Sequence, residues 1–188
     1  MAAAKVLLVV LLLAFTGMGA VDVAPKRTLH ADEVTGHFTQ KNKVETVWLV
    51  APQINADETG CVTQSKLAKQ GDCIASLNFS DSSIPSIKVN DCIGGTPVNL
   101  GDLDNDGLDE IGLLPEWFTS CWRNYRVYTY KKGEWILAVD PFPTHCNQWE
   151  ENLQPIIKDP AKKGNVIITY SAFEGNEIVF KKKSVGVK

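Results

Sequence analysis

The most chemically distinctive stretch of the chain is residues 102–110, where five of nine side chains are carboxylic acids around one glycine. Unpaired carboxylates at this density repel one another. A hard cation such as Ca²⁺ takes about six to eight oxygen ligands and would hold them in a folded loop. Asp102, Asp104 and Asp106 occupy alternate positions 1, 3 and 5, and Gly107 follows where the backbone must turn sharply. The spacing therefore predicts a calcium-binding loop.

The residues that follow complete the candidate site. Leu108 can offer its backbone carbonyl at position 7 and Glu110 a carboxylate at position 9, with Asp109 as an outer or alternative ligand. An EF-hand loop needs a bidentate Glu at position 12 and flanking helices, whereas position 12 here is Leu113 in a strand-like run. The alternative is an acidic, solvated turn with no ion. We predict one structural Ca²⁺ ion, held by Asp102, Asp104, Asp106, Leu108 and Glu110.

The elements that must position this loop are predicted to be β-strands. Short runs of β-branched and aromatic residues alternate with Gly, Pro and Asn turns, and residues 132–133 and 174–176 are typical of hairpin connections. Only residues 63–70 are expected to form a helical turn or two. The pattern favours an all-β antiparallel meander. The predicted strands are 44–50, 73–79, 86–89, 111–114, 125–130, 135–139, 165–171 and 177–181.

A repeat relates the acidic loop to an earlier segment. Residues 36–50 align without gaps to residues 101–115, at an offset of 65. The two copies share a Gly, an apolar residue two positions later, a Glu and a following apolar strand. The first copy has Thr39, Lys41 and Asn42 in place of two aspartates and the glycine of the second. We therefore predict repeated supersecondary units of which only the second binds an ion.

The segment GDLDNDGLDEIGLL resembles the FG-GAP/VCBS-type repeat of integrin-like β-propellers, D-x-[DN]-x-D-G-x-x-[DE] followed by an apolar strand. The resemblance covers about 15 residues closely and a second 15 faintly. It implies that the loop binds Ca²⁺ between strands of adjacent sheet turns. A full propeller needs several blades of about four strands each. Two repeats and a C-terminal hairpin are too few to close a ring, so we expect blade-like units.

The N-terminal segment predicts export. Residues 1–19 contain Lys5, an unbroken apolar run over 6–15 and small residues before a cleavage point, as in a secretory signal peptide. An uncleaved membrane anchor is the alternative, but a span needs roughly 20 apolar residues. We expect a single β domain over 20–188, secreted or periplasmic, with no transmembrane segment. The net charge of –3 argues against nucleic acid and anionic membranes as partners.

Five cysteines in an exported chain predict disulfides with one thiol left over. Sequence alone leaves their connectivity open. We predict Cys61–Cys73 and Cys121–Cys146, because each pair flanks a turn region, and a free, buried Cys92. Zinc is disfavoured, since no CxxC or paired His/Cys cluster occurs in the sequence. The odd cysteine and an open blade edge allow self-association.

Catalytic constellations are sparse, so we expect a non-enzymatic protein. There is no GxSxG elbow, HExxH pair or P-loop. His145 beside Cys146 suggests a dyad, but adjacent residues on a strand point to opposite faces.

The loop tryptophans are the best candidates for contact with a partner. Trp117, Trp122 and Trp149 lie near Cys121 and Cys146, where packing around a disulfide is the ordinary alternative. We expect an exported calcium-binding domain whose partner is an unknown protein or glycan. The alternative function is a carbohydrate-binding module or an accessory protein of a secreted hydrolase.

Overall fold

A computed structural model of the chain describes residues 32–62, 72–150 and 153–188. The predicted signal peptide over 1–19 and the helical turn predicted over 63–70 lie outside these residues. The described residues form three antiparallel sheets, none closed into a barrel or propeller. The prediction of an all-β fold is confirmed.

Most strands begin and end within two or three residues of their predicted bounds. The sequence prediction omits only elements of three to five residues, which are too short for an alternating pattern to be recognised. In chain order the elements are β1 (Val34–Gly36), β2 (Glu45–Val50), β3 (Ile74–Phe79), β4 (Ile87–Asn90), β5 (Pro97–Asn99), β6 (Ile111–Leu113), β7 (Arg123–Lys131), β8 (Glu134–Leu137), β9 (Phe142–Thr144), α1 (Cys146–Glu150), β10 (Ile156–Lys158), β11 (Asn165–Glu174) and β12 (Glu177–Gly186). The omitted elements are β1, β5, β9, β10 and α1.

The first two sheets reproduce the sequence repeat. Strands β1 to β4 pair in chain order, and strands β5 to β8 do the same, with β9 pairing β7 in addition. Residues 36–50 run from the end of β1 into β2, and residues 101–115 run from just after β5 through β6. Each copy is thus the connection between the first and second strands of a four-stranded meander. Strands β1 and β5 contact each other, so the two connections lie side by side.

The third sheet contains β10, β11 and β12, and its hairpin pairs from Asn165 with Gly186 to Glu174 with Glu177. The hairpin predicted between β7 and β8 is also present. Its turn residues Lys132 and Gly133 have φ of 53° and 88°. Two consecutive positive φ values are typical of the type I′ turn, whose twist matches that of the strands it joins.

Two hydrophobic cores hold the sheets together. The first joins the β1–β4 and β5–β8 sheets and includes Phe38, Leu77 and Leu113. The second joins the β5–β8 sheet to the third sheet and includes Leu103 and Val166. Phe38 and Leu103 occupy equivalent positions of the repeat, since they are 65 residues apart. Each connecting loop therefore anchors itself with one apolar side chain, but in a different core.

The predicted cysteine pairing is confirmed. Cys61 is bonded to Cys73 and Cys121 to Cys146, while Cys92 is free and buried. Burial raises the pKa of the Cys92 thiol, whose Sγ donates to the carbonyl of Gly94 at 3.1 Å. The second disulfide joins the loop after β6 to the start of α1.

We predict that Leu113→Ala destabilises the fold by about 3 kcal/mol, because it leaves a cavity at a fully buried position of β6. Val98→Ala is the matched control. Val98 lies on the adjacent strand β5 but is 46% exposed, so its cost should be within about 0.5 kcal/mol. Urea unfolding of the three proteins measures both values. Equal losses for the two variants would contradict the assignment of this core.

Candidate metal centre

The loop between β5 and β6 brings three of the predicted ligands together. Asp102, Asp104 and Asp106 each offer a carboxylate oxygen, and these oxygens lie within 4.8 Å of one another. Three carboxylates at this separation can share one hard cation. This group could therefore hold a metal ion.

Hydrogen bonds from the loop's own backbone orient these carboxylates. Asp102 Oδ2 accepts from the amide of Gly107 at 3.0 Å, and Asp104 Oδ1 accepts from the amide of Asp106 at 2.9 Å. Asp106 Oδ1 in turn accepts from the amide of Leu108 at 2.9 Å. Gly107 has φ of 90°, a conformation that favours glycine. The turn therefore uses one oxygen of each aspartate and leaves the other for a different partner.

One of these remaining oxygens has no hydrogen-bond partner among the described residues. Asp102 Oδ1 is buried and accepts no hydrogen bond from any described residue. A buried polar atom without a partner costs about 1–3 kcal/mol, and more when it carries charge. A cation bound among the three aspartates would satisfy this oxygen.

Two lysines stand beside the acidic loop. Lys131 Nζ lies 2.7 Å from Asp104 Oδ2, and this hydrogen bond raises the pKa of Lys131. The side chain of Lys41, from the first copy of the repeat, covers Gly107 so closely that a Cβ at position 107 would collide with it. These ammonium groups partly balance the carboxylates. A metal ion at this site would compete with Lys131 for Asp104.

Glu110 occupies a different environment from the three aspartates. It is fully buried, and its Oε2 accepts from the backbone amide of Leu103 at 2.5 Å. Burial is the main cause that raises the pKa of Glu110 to about 7. The charges of Asp104 and Asp106 add to the rise, whereas the Leu103 amide and the nearby Thr129 hydroxyl oppose it. Glu110 Oε1 and Thr129 Oγ1 are both buried, and neither has a hydrogen-bond partner of ordinary geometry among the described residues. Coordination by Glu110, and by the Leu108 carbonyl, stays a prediction.

The first copy of the repeat shows which hydrogen-bond donor is missing at Glu110 Oε1. Glu45, its equivalent, is also fully buried and accepts from the amides of Phe38 at 3.1 Å and Thr39 at 2.8 Å. Its other oxygen accepts from the hydroxyl of Thr39. In the second copy Asp104 takes the place of Thr39 and cannot donate when it is ionised. The replacement removes a donor from the buried glutamate and adds a negative charge beside it.

The two loops are also joined to each other. The amide of Asp109 donates to the carbonyl of His37 at 2.9 Å, and the amide of His37 donates to Asp109 Oδ2 at 2.8 Å. The same oxygen accepts from the side-chain amide of Asn99 at 3.0 Å. Asp109, predicted as an outer or alternative ligand, thus lies outside the aspartate group and connects the loops.

A histidine lies beside the second disulfide. Cys121, His145 and Cys146 place one atom each within 4.8 Å of one another, but the two cysteines are bonded to each other and so offer no free thiolate to a metal. One expectation is wrong here, because His145 and Cys146 do meet. Cys146 begins α1 rather than continuing a strand, and its Sγ lies 3.7 Å from His145 Nδ1. The sequence prediction included the Cys121–Cys146 pair and missed only the approach of His145.

Two of the three predicted loop tryptophans, Trp117 and Trp122, border an open groove of about 380 Å³, whereas Trp149 lies in α1 and not in a loop. Trp122 is half-buried, with its ring 4.9 Å from that of His145 and 5.1 Å from that of Phe173. Part of its surface is therefore used for packing beside the disulfide, which was the alternative to contact with a partner. Trp149 instead stacks on Tyr125 beside the second core. The groove is lined by Asp91, Pro115, Trp117, Trp122, Arg123, Asn124 and Arg126.

Comparisons of the chain with known protein families, with curated proteins and with solved structures found no match. Membership of the FG-GAP/VCBS-type repeats stays a prediction from the motif. No helix among the described residues is long and apolar enough to span a membrane.

The raised pKa of Glu110 predicts a pH dependence of stability for the metal-free protein. Between about pH 4.5 and 7 the folded protein keeps a proton that the unfolded chain has lost, so the free energy of unfolding falls as the pH rises. Glu110→Gln removes this titration. We therefore expect the decrease in the free energy of unfolding from pH 5 to pH 8 to be about 1–3 kcal/mol smaller in this variant. Urea unfolding at pH 5 and pH 8 in excess chelator measures it.

Glu177→Gln, which removes an exposed carboxylate at the tip of the β11–β12 hairpin, is the charge-matched control. It should keep the full pH dependence of the unmodified protein. If the free energy of unfolding changes between pH 5 and pH 8 by the same amount in Glu110→Gln as in the unmodified protein, Glu110 titrates normally.

Proposed function

We propose that this protein is an exported, non-enzymatic calcium-binding β domain of the FG-GAP/VCBS type, which acts by binding a partner. The observation that carries the proposal is the group of Asp102, Asp104 and Asp106 with a buried, unpartnered oxygen on Asp102. The ion is Ca²⁺ because the group offers only oxygen ligands, which suit a hard cation of variable coordination.

The ion's role is to stabilise the loop and, through it, the contact between the two repeats. The loop residues 102–110 connect β5 to β6, anchor Leu103 in the second core and join the first loop through Asp109. A cation would offset the repulsion among the aspartates and favour the ionised form of Glu110. The first loop has Lys41 at the position of Asp106 and Thr39 at that of Asp104. We therefore expect the protein to bind only one ion.

Export is proposed from the N-terminal segment and supported by the cysteines. Two disulfides are typical of secreted and periplasmic proteins, because cytosolic thiols are kept reduced.

Calcium should raise the melting temperature of chelator-treated protein. At free Ca²⁺ about tenfold above its dissociation constant, linkage gives roughly 1.4 kcal/mol, or about 3–6 °C for a domain of this size. Asp102→Asn and Asp106→Asn should each abolish the shift, because each removes a carboxylate from the group. Differential scanning calorimetry measures the shift, and isothermal titration gives the stoichiometry, expected to be one.

Two further variants control this experiment. Glu177→Gln changes the net charge by the same amount as each aspartate substitution, but far from the loop. It should respond to Ca²⁺ as the unmodified protein does. Lys131→Met removes the ammonium group that occupies Asp104, so calcium affinity should rise severalfold. No heat of binding, together with an unchanged melting temperature, would refute the calcium site.

Carbohydrate binding is the second candidate function, and the groove beside the loop tryptophans favours it. Trp117 and Trp122 offer apolar ring surface, and Arg123, Asn124 and Asp91 offer hydrogen-bonding groups around it. Apolar surface with a few convergent polar groups is the usual composition of a small-ligand site.

Binding to a glycan array should fall at least about tenfold in Trp117→Ala and Trp122→Ala, because each removes one wall of the groove. Trp149→Phe is the control, since Trp149 does not line this groove and Phe keeps an aromatic ring against Tyr125. Glycan binding that survives both alanine substitutions would exclude this surface. Loss of glycan binding would leave the calcium response unchanged, which separates the two functions.

A further inference from the structure

The two disulfides of this protein differ in accessibility. Cys61 and Cys73 are 5% and 1% exposed, so a reagent in solvent cannot reach their sulfurs without unfolding of the region. Cys121 is exposed and Cys146 is half-buried. Thiol–disulfide exchange requires a thiolate to attack one sulfur of the bond directly, so only the second disulfide is open to it in the folded protein.

The less exposed end of the accessible disulfide, Cys146, lies beside a histidine. Cys146 Sγ is 3.7 Å from Nδ1 and 4.0 Å from Nε2 of His145. The backbone amide of Asn147 also donates to Nδ1 at 3.3 Å, and Asn147 Oδ1 lies 3.6 Å from the sulfur. Because Nδ1 accepts from this amide, the ring proton of His145 lies on Nε2, from which it can be donated towards the departing sulfur. Donation of this kind stabilises a thiolate, and a more stable thiolate leaves faster during exchange.

Contacts that do not involve the disulfide hold His145 in place. Its backbone amide donates to Ser171 Oγ at 2.9 Å, and that hydroxyl donates to Gln148 Oε1 at 2.9 Å. Gln148 Nε2 donates to the carbonyl of Thr169 at 2.8 Å, and Gln148 and Ser171 are buried. These bonds attach α1 to β11. His145 and Cys146 should therefore keep their positions when the disulfide opens.

We propose that Cys121–Cys146 is a redox-active disulfide that oxidises thiol compounds, with Cys121 as the attacked sulfur and Cys146 as the leaving thiolate beside His145. In the first step a thiolate of the substrate forms a bond to Cys121 Sγ as the Cys121–Cys146 bond breaks. Its electron pair stays on Cys146 Sγ, next to the imidazole of His145. The products are a mixed disulfide at Cys121 and the Cys146 thiolate.

A second thiol completes the reaction. Its thiolate attacks the substrate sulfur of the mixed disulfide, and Cys121 leaves as a thiolate. The substrate departs as a disulfide, and its two electrons remain on Cys121 and Cys146. The two protons that the substrate thiols release to solvent on forming thiolates are balanced by two that the cysteine thiolates take up from solvent. The substrate class is a dithiol or a pair of monothiols, and reduced glutathione is a sufficient probe.

The experiment exposes the folded protein to reduced glutathione, quenches with an alkylating agent and locates the modified cysteines by peptide mass spectrometry. We expect Cys121–Cys146 to open at least about tenfold faster than Cys61–Cys73, with the glutathione adduct on Cys121. His145→Gln should slow the opening of Cys121–Cys146 severalfold and leave Cys61–Cys73 unaffected. His145→Asn, a smaller side chain, repeats the test if the glutamine variant does not fold, and a thermal melt checks each variant.

Three results would overturn the proposal. Equal rates for the two disulfides would show that exposure of Cys121 confers no reactivity. An adduct on Cys146 would reverse the assigned direction of attack. An unchanged opening rate in both folded histidine variants would remove His145 from the reaction.

Discussion

The interaction on which the rest of the structure depends is a buried glutamate that closes a loop onto its own backbone, once in each repeat. Glu45 accepts from the amides of Phe38 and Thr39, and Glu110 accepts from the amide of Leu103. Each bond fixes the loop so that its apolar anchor enters a core and the next strand begins in register. A buried carboxylate is costly unless its oxygens are satisfied, so the loop sequence around it is tightly constrained.

The two copies satisfy this constraint by different means. In the first, the hydroxyl of Thr39 donates to the second oxygen of Glu45. In the second, Asp104 replaces that donor, Glu110 keeps an unpartnered oxygen and its pKa rises to about 7. The lysine that contacts Asp104 balances charge but donates nothing to Glu110 among the described hydrogen bonds. The second loop is therefore built at a cost in free energy that a bound cation would offset.

Much of this arrangement could be predicted from the sequence, and the remainder depended on contacts between distant segments. Long runs of β-branched residues gave the major strands, and the gap-free repeat gave the equivalence of the loops, because both are local patterns. The burial of Glu110 was not evident, since a loop carboxylate looks the same in sequence whether it faces solvent or the core. The contact between His145 and Cys146 was missed because a five-residue helix changes the direction of Cys146.

The calcium site is tested most directly by a crystal structure grown in calcium, with the ion located by its anomalous scattering. We expect one peak among the carboxylates of Asp102, Asp104 and Asp106, with Lys131 withdrawn from Asp104 and no peak in the loop over residues 36–45. A map with no peak at the aspartates and Lys131 still in contact with Asp104 would contradict it. A peak in the first loop would contradict the claim that only the second copy binds an ion.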